Sequence, residues 1–245
     1  MQYPLTQQMF REIETNVDIV FVVDATEKMQ VHIDKIKTTV LNFPHMLTDE
    51  FQKCRRHVNH LRCKVVWFRD FYRDGINALG ESRFFSLPQE KCEYVHFVED
   101  IRARGGCNKA ASGLEALTLA MRSDFTQAGD RRRHIIILFS DSEAYAFEDH
   151  ARHVEEAIEE GFSLDKYPAD MPKTLSEFYG EWSPLASPPG HRGLDFRSKR
   201  LVLITSESYP WTELESDFDA CFREKIDGSN TNFDDILALC IHGVR

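Results

Sequence analysis

Asp18-Ile19-Val20-Phe21-Val22-Val23-Asp24-Ala25-Thr26-Glu27-Lys28-Met29 is the stretch that decides the fold class. Residues 19–23 are apolar and largely β-branched, with no polar residue alternating through them. A strand reads this way when helices cover both of its faces. The run stops on Asp24, and polar residues follow at once. Residues 65–68, 135–139 and 201–204 have the same character. Amphipathic stretches lie between them: Ile33, Ile36, Val40, Phe43 and Leu47 recur at three- and four-residue steps, one face of a helix. Strands alternating with helices predict an α/β fold, a three-layer α-β-α sandwich with a mostly parallel central sheet and helices on both faces.

A second helix is predicted to begin near Ser86, with Pro88 in its first turn, Gln89 at the capping-box position and Gly105-Gly106 as its stop. Its apolar face is Tyr94, Phe97, Val98 and Ile101. A third is predicted from Ser112, with Glu115 completing another capping box and Leu114, Leu117 and Met121 as its stripe. A fourth is expected over 148–160. Residues 233–241 read as helix or strand, and 84–86 as an extra edge strand. A chain of 245 residues, 42% of them hydrophobic, suits one domain, 1–245, with a large core. Within it, residues 163–198 carry Pro168, Pro172, Pro184, Pro188, Pro189, Gly190 and Gly193. They are predicted to form a long insertion loop.

A net charge of −10 sets the average surface against nucleic acid phosphates and anionic membranes. The basic runs Arg55-Arg56 and Arg131-Arg132-Arg133 read as local charge before strands and in loops. Residues 1–14 show no signal peptide, and no apolar run approaches a bilayer span. The cysteines Cys54, Cys63, Cys92, Cys107, Cys221 and Cys240 are scattered without a C-x-x-C pair and read as reduced thiols. The expected compartment is the cytoplasm, with no nucleic acid or membrane partner.

In open α/β sheets ligands collect outside the carboxyl ends of the strands. There this sequence places Asp24-Ala25-Thr26-Glu27-Lys28, Arg69-Asp70-Phe71-Tyr72 and Ser140-Asp141-Ser142-Glu143, while Gly105-Gly106-Cys107-Asn108 leads into the third helix. Asp24, Thr26, Asn108 and Asp141 all offer oxygen ligands, a set that suits a hard cation such as Mg²⁺ or Mn²⁺. The same residues also suit a structural role, with Thr26 as a helix N-cap and Asp141 satisfying loop amides. The exposed aromatic candidate at this edge is Trp211, in Tyr209-Pro210-Trp211-Thr212. It reads equally as a partner anchor or as packing under the long loop.

The strand ending in Asp24-x-Thr26, the Gly105-Gly106 loop and the strand ending in Ser140-Asp141 resemble the von Willebrand factor A domain. That family has a metal-ion-dependent adhesion site of Asp-x-Ser-x-Ser, a Thr or Asp from a glycine-rich loop, and an Asp after a later strand. Val66-Trp67-Phe68-Arg69-Asp70-Phe71-Tyr72, Phe84-Phe85-Ser86-Leu87-Pro88, Gly113-Leu114-Glu115-Ala116-Leu117, Arg132-Arg133-His134 and Tyr209-Pro210-Trp211-Thr212 look like its bacterial branch, which includes proteins associated with tellurium resistance. The resemblance spans nearly the whole chain. It implies a divalent cation at the top of the sheet, completed by an acidic residue of a partner. It also implies a non-enzymatic scaffold in a stress or defence response with kinase-like and phosphatase-like partners. Lys28, Asp70, Ser142 and Trp211 are the expected partner contacts.

The sequence departs from that motif at Lys28, where the second Ser would stand. An ammonium there would repel a cation and is expected either to leave a degenerate site or to fill it by pairing with Asp24 or Asp141. Asn108 brings a carbonyl without charge. An Mg²⁺-dependent phosphoesterase with Asp24 as nucleophile is a further alternative, weakened because Thr26 stands where a second carboxylate is wanted. Cys54, His57, His60 and Cys63 recur at three-residue steps but would spread around a helix, and His150 with His153 reads as a solvated face. Cys107 lacks a base to activate it.

Overall fold

The computed structural model describes residues 13–106, 110–183, 193–226 and 233–242. Its centre is strand β1 (Thr15–Asp24), every residue of which is buried. β1 lies between β2 (His60–Phe68) and β6 (Arg131–Ser140), parallel to both. β8 (Lys199–Thr205) adds parallel to β6, and β9 (Cys221–Lys225) parallel to β8. On the far edge of β2, two short antiparallel strands pair with its two ends, β3 (Leu79–Glu81) and β4 (Phe85–Leu87). The order is β3-β2-β1-β6-β8-β9, with β4 beside β2. A separate two-stranded pair joins β5 (Ala110–Ala111) to β7 (Glu143–Ala144).

The two faces of β1 feed two cores, because successive side chains point to opposite sides. Val17, Ile19, Phe21 and Val23 pack with α1 (Ile33–Lys53), α2 (Lys91–Glu99) and α7 (Phe233–His242). Val20 and Val22 pack with α3 (Gly113–Met121), α5 (Leu175–Trp182) and α6 (Trp211–Asp217). This is the expected three-layer sandwich. The remaining helix, α4 (His150–Glu159), buries only Ala157.

Several expectations are corrected. The second helix starts at Lys91 rather than near Ser86, because Phe85–Leu87 continues as a strand and the Glu90 carboxylate accepts from the Ser86 amide at 2.6 Å. It ends at Glu99, well short of the glycines. Ser112 stands at the N-cap of α3 but makes no side-chain cap; its Oγ accepts from the Phe71 amide at 2.9 Å. The 163–198 stretch is not wholly loop, since α5 crosses it behind a Thr174 cap whose hydroxyl accepts from the Glu177 amide at 3.1 Å.

The basic run 131–133 serves the fold. Arg133 donates to the Cys240 and Ile241 carbonyls, Arg200 to Leu239 and Arg56 to Ile241, so three guanidiniums satisfy the carbonyl end of α7. Cys63 is buried in the core while Cys54 contacts His242, so the Cys54–Cys63 series forms no site.

Lys199 pins α5 to the sheet. Although fully buried, its ammonium donates to the Trp182 carbonyl at 2.7 Å and Ser183 Oγ at 3.0 Å, and pairs with Asp219 at 2.8 Å. It also sits 4.4 Å above the Trp182 ring, which stacks on Phe218. Lys199→Ala strands these acceptors and should cost about 3 kcal/mol, read as a lower urea midpoint. A fall under about 1 kcal/mol would show that Lys199 is dispensable to the packing of α5.

Candidate functional site

Parallel alignment of β1, β2 and β6 brings their carboxyl ends to one edge: Asp24 lies opposite Phe68, and Val23 opposite Phe139. Asp24 ends β1 and is fully buried. Its Oδ1 accepts from the Thr26 amide at 2.9 Å and its Oδ2 from Ser140 Oγ at 2.7 Å. Burial pushes the Asp24 carboxyl up to about 6; the Thr26 and Ser140 hydrogen bonds oppose the rise and the Asp141 charge adds to it. Each Asp24 oxygen thus accepts one hydrogen bond and keeps a further lone pair.

Thr26 precedes a 3-10 turn (Glu27–Val31), as an N-cap would, yet its side chain makes no capping bond. Its hydroxyl is buried and makes no well-formed hydrogen bond, although it lies near enough to the Asp24 carboxylate to favour the charged form. The capping reading of Thr26 is therefore wrong: the side chain sits at the cap position without doing the work of a cap. Gly105 and Gly106, both at positive φ, run alongside. The Glu27 amide donates to the Gly105 carbonyl at 2.9 Å, and the Arg104 amide to the Ala25 carbonyl at 2.9 Å. A Cβ on Gly106 would lie 2.8 Å from the Thr26 methyl, so only glycine permits this approach. Thr26, Glu27, Lys28, Gly105, Gly106, Ala110 and Ser142 line a small cleft at this edge. Asp141 is half-buried and accepts from Ser142 Oγ at 3.0 Å. Asn108 and Cys107 lie outside the described residues.

Lys28 does not fill the site. In the 3-10 turn Met29 is the buried anchor, and Lys28 falls on the outer side, exposed. The partners of the Asp24 carboxylate are Thr26 and Ser140 instead. Three of the four expected partner contacts are also corrected. Asp70 is fully buried, accepting from the Tyr72 amide at 2.9 Å and the Tyr145 hydroxyl at 2.8 Å. Trp211 is fully buried, wedged against Gly113, and its indole donates to the Ser142 carbonyl at 2.8 Å. Ser142 is 3% exposed. Only Lys28 is placed to meet a partner.

Beside this edge lies a cluster the sequence reading missed. Glu115, assigned above to a capping box, is buried instead among aromatic groups. Its Oε1 receives a 3.5 Å contact from the Tyr167 hydroxyl and its Oε2 has no partner. Tyr167 packs against Tyr72, Phe71 and His150; Tyr72 packs against Tyr145 and His153, and its hydroxyl lies 3.0 Å from His150 Nδ1. These rings attach α4 to the sheet edge, so His150 and His153 are not merely a solvated face. Burial pushes the Glu115 carboxyl up to about 7, with the Asp70 charge adding to the rise. Two histidines at i and i+3 beside a run of aromatics were the available signal.

Among the described residues no group of three or more His, Cys, Asp or Glu is placed to hold a metal, and no helix is long and apolar enough to cross a membrane. No family model and no curated protein matches the chain. Among solved structures it is similar to the pilus adhesin SpaC from Lactobacillus rhamnosus GG in its open conformation, at 16% identity and a TM-score of 0.38, over 52% of this chain and 15% of the adhesin. It is also similar to proximal thread matrix protein 1 from the mussel byssus, at 14% identity and 0.44, over 95% of this chain and 48% of that one. The chain thus spans less than half of either protein, and likenesses this distant carry no functional argument.

Glu115 fixes a pH dependence. Its carboxyl is held at about 7 in the folded chain against an ordinary 4.5. Stability is full below the ordinary value and is lost as pH rises through the folded one. The loss is about 3 kcal/mol. Asp24 acts in the same direction, so the comparison that isolates Glu115 is with Glu115→Gln, which should flatten its share of the decline between pH 5 and 8 in urea titrations. Equal slopes for the two proteins would show that Glu115 is ionised in the fold.

Proposed function

We propose that this chain is a protein-interaction module of the von Willebrand A type, holding Mg²⁺ or Mn²⁺ at the carboxyl edge of its sheet through Asp24, Thr26 and Asp141. Asn108 joins that set by the resemblance alone. The observation that carries the reading is the buried Thr26 hydroxyl that makes no well-formed hydrogen bond beside a fully buried carboxylate. A buried hydroxyl without a hydrogen bond is costly and calls for an unseen ligand. A divalent cation answers both needs: it takes the hydroxyl oxygen and adds positive charge directly at Asp24, whose own hydrogen bonds come from neutral groups. Lys28, exposed on the rim, removes a hydroxyl ligand from the motif without blocking the cleft.

The role is scaffolding rather than turnover. Asp24 has no second carboxylate two residues on to hold an ion beside a reacting phosphate, so the edge suits a fixed ion completed by a partner's acidic side chain. Kinase-like and phosphatase-like proteins of a bacterial stress or defence response, in the cytoplasm, are the partners this reading points to.

Thermal unfolding in EDTA, Mg²⁺ and Mn²⁺ tests the ion. A ligand bound only by the folded state raises the midpoint, by about 2.7 kcal/mol of stability at a hundredfold excess over its dissociation constant. The wild type should gain from either ion, and Asp24→Ala should not. Thr26→Val keeps the shape and deletes the hydroxyl. It should lose the gain while unfolding no earlier than wild type in EDTA. Identical wild-type midpoints in all three buffers would sink the cation reading.

A further inference from the structure

Besides its backbone bonds to the Thr26 segment, the glycine loop is held from the other side by a side chain. That group is Asp74, on the turn after β2. One carboxylate oxygen, Oδ2, accepts from two backbone amides, Gly106 at 2.9 Å and Asp70 at 3.1 Å. The other, Oδ1, lies where a Cβ on Gly105 would sit, 2.1 Å from that position, so the loop backbone rests directly on the carboxylate. Gly106 in turn runs so close to Thr26 that a Cβ on it would lie 2.8 Å from the threonine methyl. The chain of contacts is continuous: Asp74, Gly105-Gly106, Thr26.

A second fastening runs beneath it. Arg69, 2% exposed, donates to the Ala25 carbonyl at 3.0 Å, to Arg102 at 2.9 Å and to Asn77, and lies 4.4 Å from the Trp67 ring. Arg69 therefore joins the residue between Asp24 and Thr26, the segment before the glycine loop and the turn carrying Asp74. Asp74 and Arg69 also feel each other's charge, Asp74 opposing the fall that burial and Arg104 impose on the Arg69 guanidinium.

We propose that Asp74 is the positioning residue of the candidate site: it sets the glycine loop against Thr26 and so fixes the threonine hydroxyl for a divalent cation. The inference rests on the cation reading for its consequence and on its own geometry for its cause. Asp74 is not a ligand. It acts through backbone amides, as outer hydrogen-bond partners of metal ligands do.

The test pairs Asp74→Ala with Asp74→Asn. Asparagine keeps a carbonyl oxygen able to accept from both amides, and alanine keeps none. Mn²⁺ affinity is measured by titration on the whole chain, with amide hydrogen exchange at Gly106 and Glu27 followed in EDTA. Asp74→Ala should weaken Mn²⁺ by about tenfold or more and speed exchange at both amides, and Asp74→Asn should restore most of each. Wild-type affinity in Asp74→Ala would overturn the inference. Equal losses in both variants would overturn it too, because charge and not the accepted amides would then be what matters. If the wild type binds no Mn²⁺, the cation reading fails separately. The exchange data then decide alone: faster exchange in alanine but not asparagine upholds Asp74 as holder of the loop, and unchanged exchange rejects it.

Discussion

The double burial of β1 governs the molecule. Every residue of that strand is inside, with parallel neighbours on both sides and helices on both faces. The middle of such a strand, residues 19–23, must be apolar, and the first polar side chain after it comes at the carboxyl end. That residue is Asp24. It ends the strand still fully buried, so its carboxylate has to be met by donors arriving from elsewhere. They come from the turn directly after it and from the end of the next parallel strand, Ser140. The convergence of loops at this edge follows from having to satisfy a carboxylate at the end of a strand with no solvent.

The two ends of the sheet treat charge differently. At the amino end, Asp18 is held by Arg62 through two guanidinium bonds, at 2.8 and 2.6 Å, and by the Thr126 amide. The carbonyl end of α7 is likewise met by arginines. Those charges are compensated inside the fold and read as structural. At the carboxyl end, Asp24 and Glu115 are held by neutral groups, an amide and hydroxyls, and burial raises both acids. Acids stabilised by neutral donors in a dry setting lack positive charge. Under the proposed reading that charge is a cation, which would take the Thr26 hydroxyl beside Asp24 as well.

This division explains what the sequence could tell. The four inner strands were legible because burial on two faces leaves a uniform apolar run. β9 was not: Cys221-Phe222-Arg223-Glu224-Lys225 is an edge strand, half-buried along most of its length, and looks like any polar stretch. Asp24, Thr26 and Asp141 were legible as neighbours because a parallel sheet puts all its strand ends together. The direction each side chain takes was not, since that depends on partners far along the chain. Trp211 read equally as an exposed anchor or as packing, and it is buried, with its indole donating to the Ser142 carbonyl. Glu115 has the spacing of a capping residue but turns into a tyrosine cluster supplied by residues 72 and 167. Ser86 looked like a helix start because strand β4 is only three residues long.

Lys28 shows why a single departure from a motif needs its local geometry before it is given a meaning. By charge alone it should close the site, since an ammonium beside Asp24 is the expected substitute for a metal. The 3-10 turn decides otherwise, because burying Met29 as its anchor puts the adjacent side chain outside. The position then loses a hydroxyl ligand and gains a cation on the rim of the cleft. Rim charges act mainly on how fast and how selectively partners approach, and little on what is bound at the centre. In a chain of net charge −10, a lysine at this rim locally offsets the repulsion an acidic partner would meet. On the proposed reading, the residue that would cost a metal shell one hydroxyl also favours approach by the acidic group needed to complete it.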